Sequence, residues 1–297
     1  MKILITGATG FLGKAIITEL GSLVTGTIGR SNCTFNVDLA REVPLVSDTY
    51  DYVIHAAGKA HSVPKTKADA EEFFAVNTYG TQNLLKGLEQ SPALPKGFVF
   101  ISSVAVYGRE KGLDLDEETL LSAEDAYGKS KIEAEKIVEN WCLKHGVICT
   151  IFRLPLLAGP NPPGNLAAMI KGIEKGYYVN IAGGKAKKSI VLAADVAKIV
   201  ISAAQLGGTY NLTDGYNPSF YELAENIAHQ LGKARPYNIP SFAANLIAKA
   251  GDLIGAKAPV NSNKLKKITS DLTFNDKKAR RILDWKPIPV LKGFTIK

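Results

Sequence analysis

Short apolar runs alternate with longer amphipathic stretches along the first half of the chain, and glycine or polar residues separate them. That is the pattern of a parallel sheet covered by helices. Lys2–Thr6 reads as the first strand and Gly13–Glu19 as the first helix, and Leu23–Ile28 and Tyr52–His55 give the second and third strands. A helix is predicted from Ala68 to Glu89, with the strand Gly97–Ile101 after it. The helix that carries Tyr127 runs on to about His145, and Val147–Arg153 is the next strand. At Gly159-Pro160-Asn161-Pro162-Pro163-Gly164 the alternation breaks, and the chain is expected to leave the sheet for a second region. Ile190–Val191 followed by Asp195–Ala204 predicts a return. The fold class is therefore α/β, a doubly wound parallel sheet with a smaller, interleaved C-terminal region. The expected division is 1–157 with a returning segment near 189–213, against 158–188 and 214–297.

At 297 residues the chain has room for a substantial core, and 46% hydrophobic with 22% charged residues is ordinary for a soluble protein. No run of eighteen apolar residues exists, which argues against a membrane span. The first strand pattern begins directly after Met1, so no signal peptide is expected and a cytoplasmic location follows. Cys33, Cys142 and Cys149 lack metal-ligand spacing and read as reduced, buried small hydrophobes. The charge of +8 is uneven: from Lys233 onward there are fourteen Lys or Arg against four Asp or Glu, and before it twenty-two against twenty-four. A basic C-terminal quarter suits an anionic small molecule, or is simply a solvated face. No nucleic-acid-binding motif is present, and no aromatic residues interleave with the basic ones, so nucleic acid is not expected as a partner.

Gly7-Ala8-Thr9-Gly10-Phe11-Leu12-Gly13 lies between the first strand and the first helix, the context that gives a glycine turn meaning. The glycines permit a tight turn and a close approach of pyrophosphate to backbone N–H groups, and the helix N-terminus adds partial positive charge. An acid at the end of the second strand would favour NAD; this chain has Gly29-Arg30-Ser31 instead. A guanidinium and a hydroxyl suit the 2′-phosphate of NADP. NADP is the favoured cofactor, with NAD open, because Arg30 can also lie outward or stack on adenine. Asp38, followed by Leu39, is a candidate partner of the adenine amino group.

Tyr127 and Lys131 are four residues apart and share a helical face. A free tyrosine titrates near pH ~10, and a neighbouring ammonium lowers that value toward the range of a useful acid/base. On its own this spacing is common in surface helices.

With the glycine turn, Asp38, His55-Ala56-Ala57-Gly58, Asn77 with Gly80-Thr81, Ser102-Ser103, Val106-Tyr107-Gly108 and Tyr127 through Lys131, the chain resembles the extended short-chain dehydrogenase/reductases. The branch is that of the nucleotide-sugar epimerases and dehydratases, which have a Rossmann-type fold and a C-terminal substrate-binding region. The resemblance implies that Ser103 holds the reacting oxygen, that Tyr127 is the acid/base, and that Lys131 binds the nicotinamide ribose and tunes the tyrosine. It implies that Gly7, Thr9, Gly10, Phe11, Leu12, Gly13 and Asn77 serve the cofactor, that Ala56, Ala57 and Gly58 line its adenosine side, and that Pro155 lies beside the nicotinamide. Asn165, Leu166 and Lys188 match positions that meet a sugar diphosphate, with a UDP-sugar the implied partner and a homodimer common in the family. No metal is implied.

Departures from the family pattern narrow the chemistry. Where 4,6-dehydratases have Thr-Asp-Glu, this chain has Ser103-Val104-Ala105, and neither Val104 nor Ala105 can transfer a proton. Dehydration is disfavoured. Galactose-type 4-epimerases often have Asn in the segment Pro155-Leu156-Leu157. Arg153-Leu154-Pro155-Leu156 is more similar to enzymes that reduce C4 of UDP-N-acetylated 6-deoxy-4-ketosugars. Hydride transfer at hexose C4, by a reductase or an epimerase, is the implied activity. A reductase of a non-sugar ketone and a non-catalytic regulatory protein are the alternatives.

Other residues read more plainly. His55 and His61 lack a third metal ligand, and His55 is expected to pack at a strand end. Tyr177 and Tyr178 contact a uracil or pack at an edge. Ser241–Leu253, with Phe242, Leu246 and Ile247, reads as a helix of the C-terminal region, for which membrane association is the minor alternative. Lys264, Lys266 and Lys267 complete a diphosphate site or form a solvated face. Trp285 reads as packing.

Overall fold

The computed structural model describes residues 1–60, 62–254 and 261–296. His61 and the side chains of Leu253 and Lys264 lie outside the described residues. In chain order the elements begin β1 (Ile3–Thr6), α1 (Phe11–Leu20), β2 (Val24–Gly29), β3 (Phe35–Asn36) and β4 (Tyr52–His55). Next come α2 (Lys67–Phe74) and α3 (Gly80–Glu89), joined into one helix by a π turn at Ala75–Tyr79. β5 (Gly97–Ser103), a 3₁₀ turn at Val104–Tyr107, β6 (Gly112–Leu115), α4 (Ala126–His145), β7 (Ile148–Leu154) and β8 (Leu156–Ala158) follow. Then come α5 (Gly164–Glu174), β9 (Val179–Ile181), β10 (Ile190–Leu192), α6 (Ala193–Leu206) and β11 (Gly208–Asn211). The chain ends with α7 (Phe220–Gln230), β12 (Tyr237–Ile239), α8 (Ser241–Ile254), α9 (Ser262–Thr269), β13 (Leu272–Phe274), α10 (Lys277–Leu283) and α11 (Val290–Gly293).

Seven strands form one parallel sheet in the order β11-β7-β5-β4-β1-β2-β3. The reversal of strand order between β1 and β4 creates the crevice where a doubly wound sheet binds ligands. The inner strands β1, β4 and β5 are largely apolar and buried because both sheet faces are covered there. Ile3 and Ile5 pack with α1 and α6 residues on one face, and Leu4, Phe98 and Phe100 pack with α3 and α4 residues on the other. A third cluster unites α5, α7, β10 and the C-terminal residues Val290 and Phe294.

The return to the central sheet differs from the expectation. Ile190–Leu192 pairs with Leu156–Ala158 in a separate two-stranded sheet, and Gly208–Asn211 is the strand that joins β7. Ile190 and Leu192 pack in the third cluster while Val191 packs in the first, so this strand bridges the two regions beside β8 and does not extend the main sheet.

α4 is fixed at both ends. The Asp125 carboxylate accepts from Gly128 N–H at 3.0 Å, and Gly146 closes the helix in the left-handed region at φ 68°. A Cβ on Gly128 would lie 2.4 Å from Ala123 Cβ, so glycine allows the first turn to sit close under Tyr127.

Trp285 packs as expected, 3% exposed in the cluster with α1 and α6, and its indole N–H donates to Thr213 carbonyl at 3.0 Å. Trp285→Phe leaves that buried carbonyl without its donor and should cost about 1–3 kcal/mol. Urea unfolding of the two proteins would measure the difference, and equal midpoints would contradict it.

Candidate active site

The β1–α1 turn is built as a close approach. Gly7 has φ +71°, and a Cβ there would lie 2.6 Å from Ala57 N; a Cβ on Gly13 would lie 2.1 Å from Gly7 O. Larger residues at either position would push α1 off the strand ends. Gly10 caps α1 without a side-chain hydrogen bond, so the first-turn N–H groups of α1 face the crevice with no capping side chain, a setting that fits a pyrophosphate. Phe11 borders this turn, its ring 3.2 Å from where a Gly159 Cβ would stand. The residues therefore fit a dinucleotide on the glycine turn.

At the far end of β2, Arg30 is exposed and no acidic residue stands beside it in the turn Gly29-Arg30-Ser31. Asp38 spends one carboxylate oxygen on Ala40 N–H at 3.1 Å, and Leu39 is buried against α3 with its carbonyl accepting from Asn83 at 2.8 Å.

The other end of the crevice holds the polar cluster. His55 is 1% exposed; Thr6 Oγ1 stands 2.6 Å from its Nδ1 and Thr81 Oγ1 2.9 Å from its Nε2. Thr81 donates its own proton to Asn77 carbonyl at 2.6 Å, so it accepts from His55 Nε2–H. Thr6 accepts from Ala57 N–H at 3.1 Å and donates to Nδ1. The ring is thus a neutral Nε2–H tautomer. Burial, helped by the Lys131 charge, pushes its pKa down to about 3. His55 is a packed strand-end residue, as its surroundings in the sequence suggest.

Asn77 sits in the π turn, where the extra residue directs its side chain inward. Its amide oxygen accepts from Lys59 N–H at 2.8 Å, and its amide nitrogen donates to Ser130 Oγ at 2.9 Å. Gly58 faces Asn77 and Lys131, because a Cβ there would be 3.1 Å from Asn77 Oδ1 and 3.2 Å from Lys131 Nζ. That places Gly58 at the Lys131 end of the crevice.

Ser103, Tyr127 and Lys131 come together where β5 ends. Lys131 is 5% exposed, donates to Ile101 carbonyl at 2.8 Å and lies 4.7 Å above the Phe100 ring centre. Burial lowers its pKa to about 8, with the Glu135 carboxylate acting in the opposite direction. Tyr127 packs 5.9 Å from Phe73, and Ser103 faces its phenol. Here the expected tuning is absent: burial raises the Tyr127 pKa, Ser103 offsets part of that, and Asp125 adds to it. The Lys131 ammonium is turned to the Ile101 carbonyl, away from acting on the phenol.

Among the C-terminal candidates, Asn165 is exposed in the first turn of α5, whose N-cap Pro163 offers no side-chain hydrogen bond. Leu166 is 1% exposed inside the third cluster, so its side chain is core and only its backbone faces the turn. Lys188 donates to Lys267 carbonyl at 3.2 Å, and burial lowers its pKa. Lys267 forms an ion pair with Glu110 at 2.7 Å. Tyr178 packs in the third cluster and burial pushes it up to about 12, whereas Tyr177 is exposed. Pro155 is half-buried between β7 and β8. All three cysteines are free, but only Cys142 is buried, Cys33 and Cys149 being partly exposed against the expectation, and no group of three potential metal ligands occurs among the described residues. No described helix is long and apolar enough to cross a membrane.

One buried group escaped the sequence reading. Glu135, 1% exposed, accepts from Ser102 Oγ, and Arg153 Nε and Nη2 approach it at 3.2 and 2.8 Å. Its spacing from Lys131 repeats that from Tyr127 to Lys131, which was a usable signal.

A glycine turn at a strand-order switch, with a serine, tyrosine and lysine at the adjoining strand end, defines a dinucleotide-dependent enzyme of the extended short-chain dehydrogenase/reductase class. The chain belongs to the NAD dependent epimerase/dehydratase family, whose sequence model matches residues 3–213. It is 27% identical over 317 residues to the UDP-glucose 4-epimerase of Vibrio cholerae, covering 99% of this chain and 93% of that protein. Its fold is similar to the UDP-glucose 4-epimerase of Thermus thermophilus in complex with NAD, with a TM-score of 0.73, 23% identity and coverage of 97% and 94% of the two chains. It is also similar to RMD from Pseudomonas aeruginosa complexed with NADPH, with a TM-score of 0.70, 21% identity and the same coverage.

The neutral His55 gives a direct check. Its ring nitrogens should show one Nε2–H tautomer by NMR, with no titration from pH 8 to pH 5. Because the folded value lies below the unfolded ~6.5, its contribution to stability is complete above that value and is lost as pH falls toward about 3. A ring that titrates near 6.5 in the folded protein would refute the arrangement.

Proposed function

We propose that the protein is an NAD(P)-dependent oxidoreductase or epimerase that acts at hexose C4 of a UDP-sugar. The observation that carries this reading is the meeting of Ser103, Tyr127 and Lys131 at the end of β5, beside the glycine turn. The likeness in sequence to a UDP-glucose 4-epimerase supports the nucleotide sugar. In the reading, residues 1–157 and 189–213 hold the cofactor, and 158–188 with 214–297 hold the sugar nucleotide.

The dinucleotide would rest on Gly7, Thr9, Gly10, Phe11, Leu12 and Gly13, with Ala56, Ala57, Gly58, Asn77 and Pro155 along its length. When bound, its nicotinamide supplies hydride exchange with carbon. Exposed Arg30 at the end of β2, with no acid beside it, favours NADP. Asp38 and Leu39 close the adenine side.

Tyr127 gives a proton to, or takes one from, the C4 oxygen, and Ser103 holds that oxygen by a hydrogen bond. Lys131 orients the ribose through its ammonium, which the Ile101 carbonyl holds in place. Burial raises the phenol's pKa and so keeps Tyr127 protonated at rest, the form from which reduction of a ketone starts. Val104 and Ala105 offer no acid or base for eliminating water, so dehydration is not proposed. The Asn165–Leu166 backbone turn and Lys188 would meet the diphosphate.

Tyr127→Phe should lower turnover by roughly 10²–10⁴-fold while NADPH still binds. A 340 nm assay with NADPH and a UDP-4-keto-6-deoxysugar, run beside UDP-glucose with NAD, separates net reduction from epimerisation. Undiminished turnover in the variant would remove the tyrosine from the chemistry.

Lys188→Ala should weaken UDP-sugar binding at least tenfold, seen by calorimetry with UDP-N-acetylglucosamine, and leave NADPH affinity unchanged. An unaffected UDP-sugar affinity would favour a non-sugar ketone as substrate.

A further inference from the structure

Three segments carry the proposed chemistry, and all three meet one buried carboxylate. Glu135 lies on α4, one turn beyond Lys131 and two beyond Tyr127. It accepts from Ser102 Oγ, the neighbour of Ser103 on β5. It also holds Arg153 of β7, two residues before Pro155, through Nε at 3.2 Å and Nη2 at 2.8 Å. Lys131 adds a second tie to the same strand through Ile101 carbonyl at 2.8 Å. The end of β5 is thus pinned at Ile101 and at Ser102 by two residues of one helix.

Arg153 is itself held from beyond. Its Nη1 donates to Tyr107 hydroxyl at 3.2 Å and to Glu117 carbonyl at 3.1 Å, and Tyr107 donates to Asn211 Oδ1 at 2.8 Å. The guanidinium is therefore positioned independently of Glu135. A buried pair is a poor source of net stability beside an apolar pair of the same volume. Its cost is offset here by four hydrogen bonds to the carboxylate that align strand ends, which points to a positional role.

We propose that Glu135 is a positioning residue for the reaction: it aligns the strand end that carries Ser103 with the helix that carries Tyr127 and Lys131. The inference rests on the catalytic reading of Lys131 and Ser103 given above. The charged and titratable groups that act here are Lys131 and Glu135 of α4, His55 of β4, and Arg153 of β7 against Glu135. His55 is neutral, and the Glu135 charge opposes the lowering that burial imposes on Lys131.

The test uses the full chain, with NADPH as probe and Glu135→Gln, Ser102→Ala and Lys131→Ala as variants. Fluorescence titration of NADPH across pH 6–10 should show affinity falling near pH 8 in the wild type, where Lys131 loses its proton. Glu135→Gln should move that fall about one unit lower, since the ammonium has lost its neighbouring anion, and should reduce turnover at least tenfold. Ser102→Ala keeps both charges, so the fall should stay in place while turnover drops several-fold. Glu135→Asp, which retains the charge, should restore the position of the fall.

If Glu135→Gln does not fold, as judged by thermal unfolding, Ser102→Ala decides, and wild-type turnover in it overturns the proposal. Wild-type behaviour of both variants overturns it as well. Should Lys131→Ala leave NADPH binding and its pH dependence unchanged, the catalytic reading fails instead, and the two failures are distinct.

Discussion

Both faces of an all-parallel sheet must be buried, and the remaining architecture follows from that requirement. With α1 and α6 on one side and α3 and α4 on the other, the strands have no face left for polar chemistry. Only the carboxyl ends are open, and only at the order switch between β1 and β4 do the flanking helices part. Gly7 then lets α1 begin almost in contact with the residues after β4, so the helix terminus and the polar cluster share one crevice.

Charge enters that apolar frame under strict terms. Each buried polar side chain around β5 has its partners: His55 between two threonines, Asn77 between Lys59 and Ser130, and Glu135 between Ser102 and Arg153. Low local dielectric strengthens such bonds and penalises any that are missing. The same burial lowers the pKa of Lys131 and raises that of Tyr127. Desolvation, more than the attraction between the two, dominates their titration.

Much of this was legible in the sequence, because the decisive signals are local. The glycine turn announces its own geometry, the inner strands are largely apolar runs, and the four-residue spacing of Tyr127 and Lys131 is a property of any helix. What local pattern could not supply was burial and partnership. Glu135 looks like one more acid on a charged helix until Arg153, on another strand, is brought against it. The π turn at Ala75–Tyr79 has no sequence signature, yet it aims Asn77 inward. Ile190–Val191 has the composition of a central strand, yet it pairs with β8, with Ile190 in the third cluster and Val191 in the first.

Trp285 carries a consequence for how the molecule is made. It lies in the same cluster as Ile3, Ile5, α1 and α6, together with Ala279 and Leu283 of α10. The interior of the nucleotide-binding half is therefore closed by residues far along the chain from β1, and cutting the chain after α9 would strip the apolar side chains of β1, α1 and α6 of part of their cover.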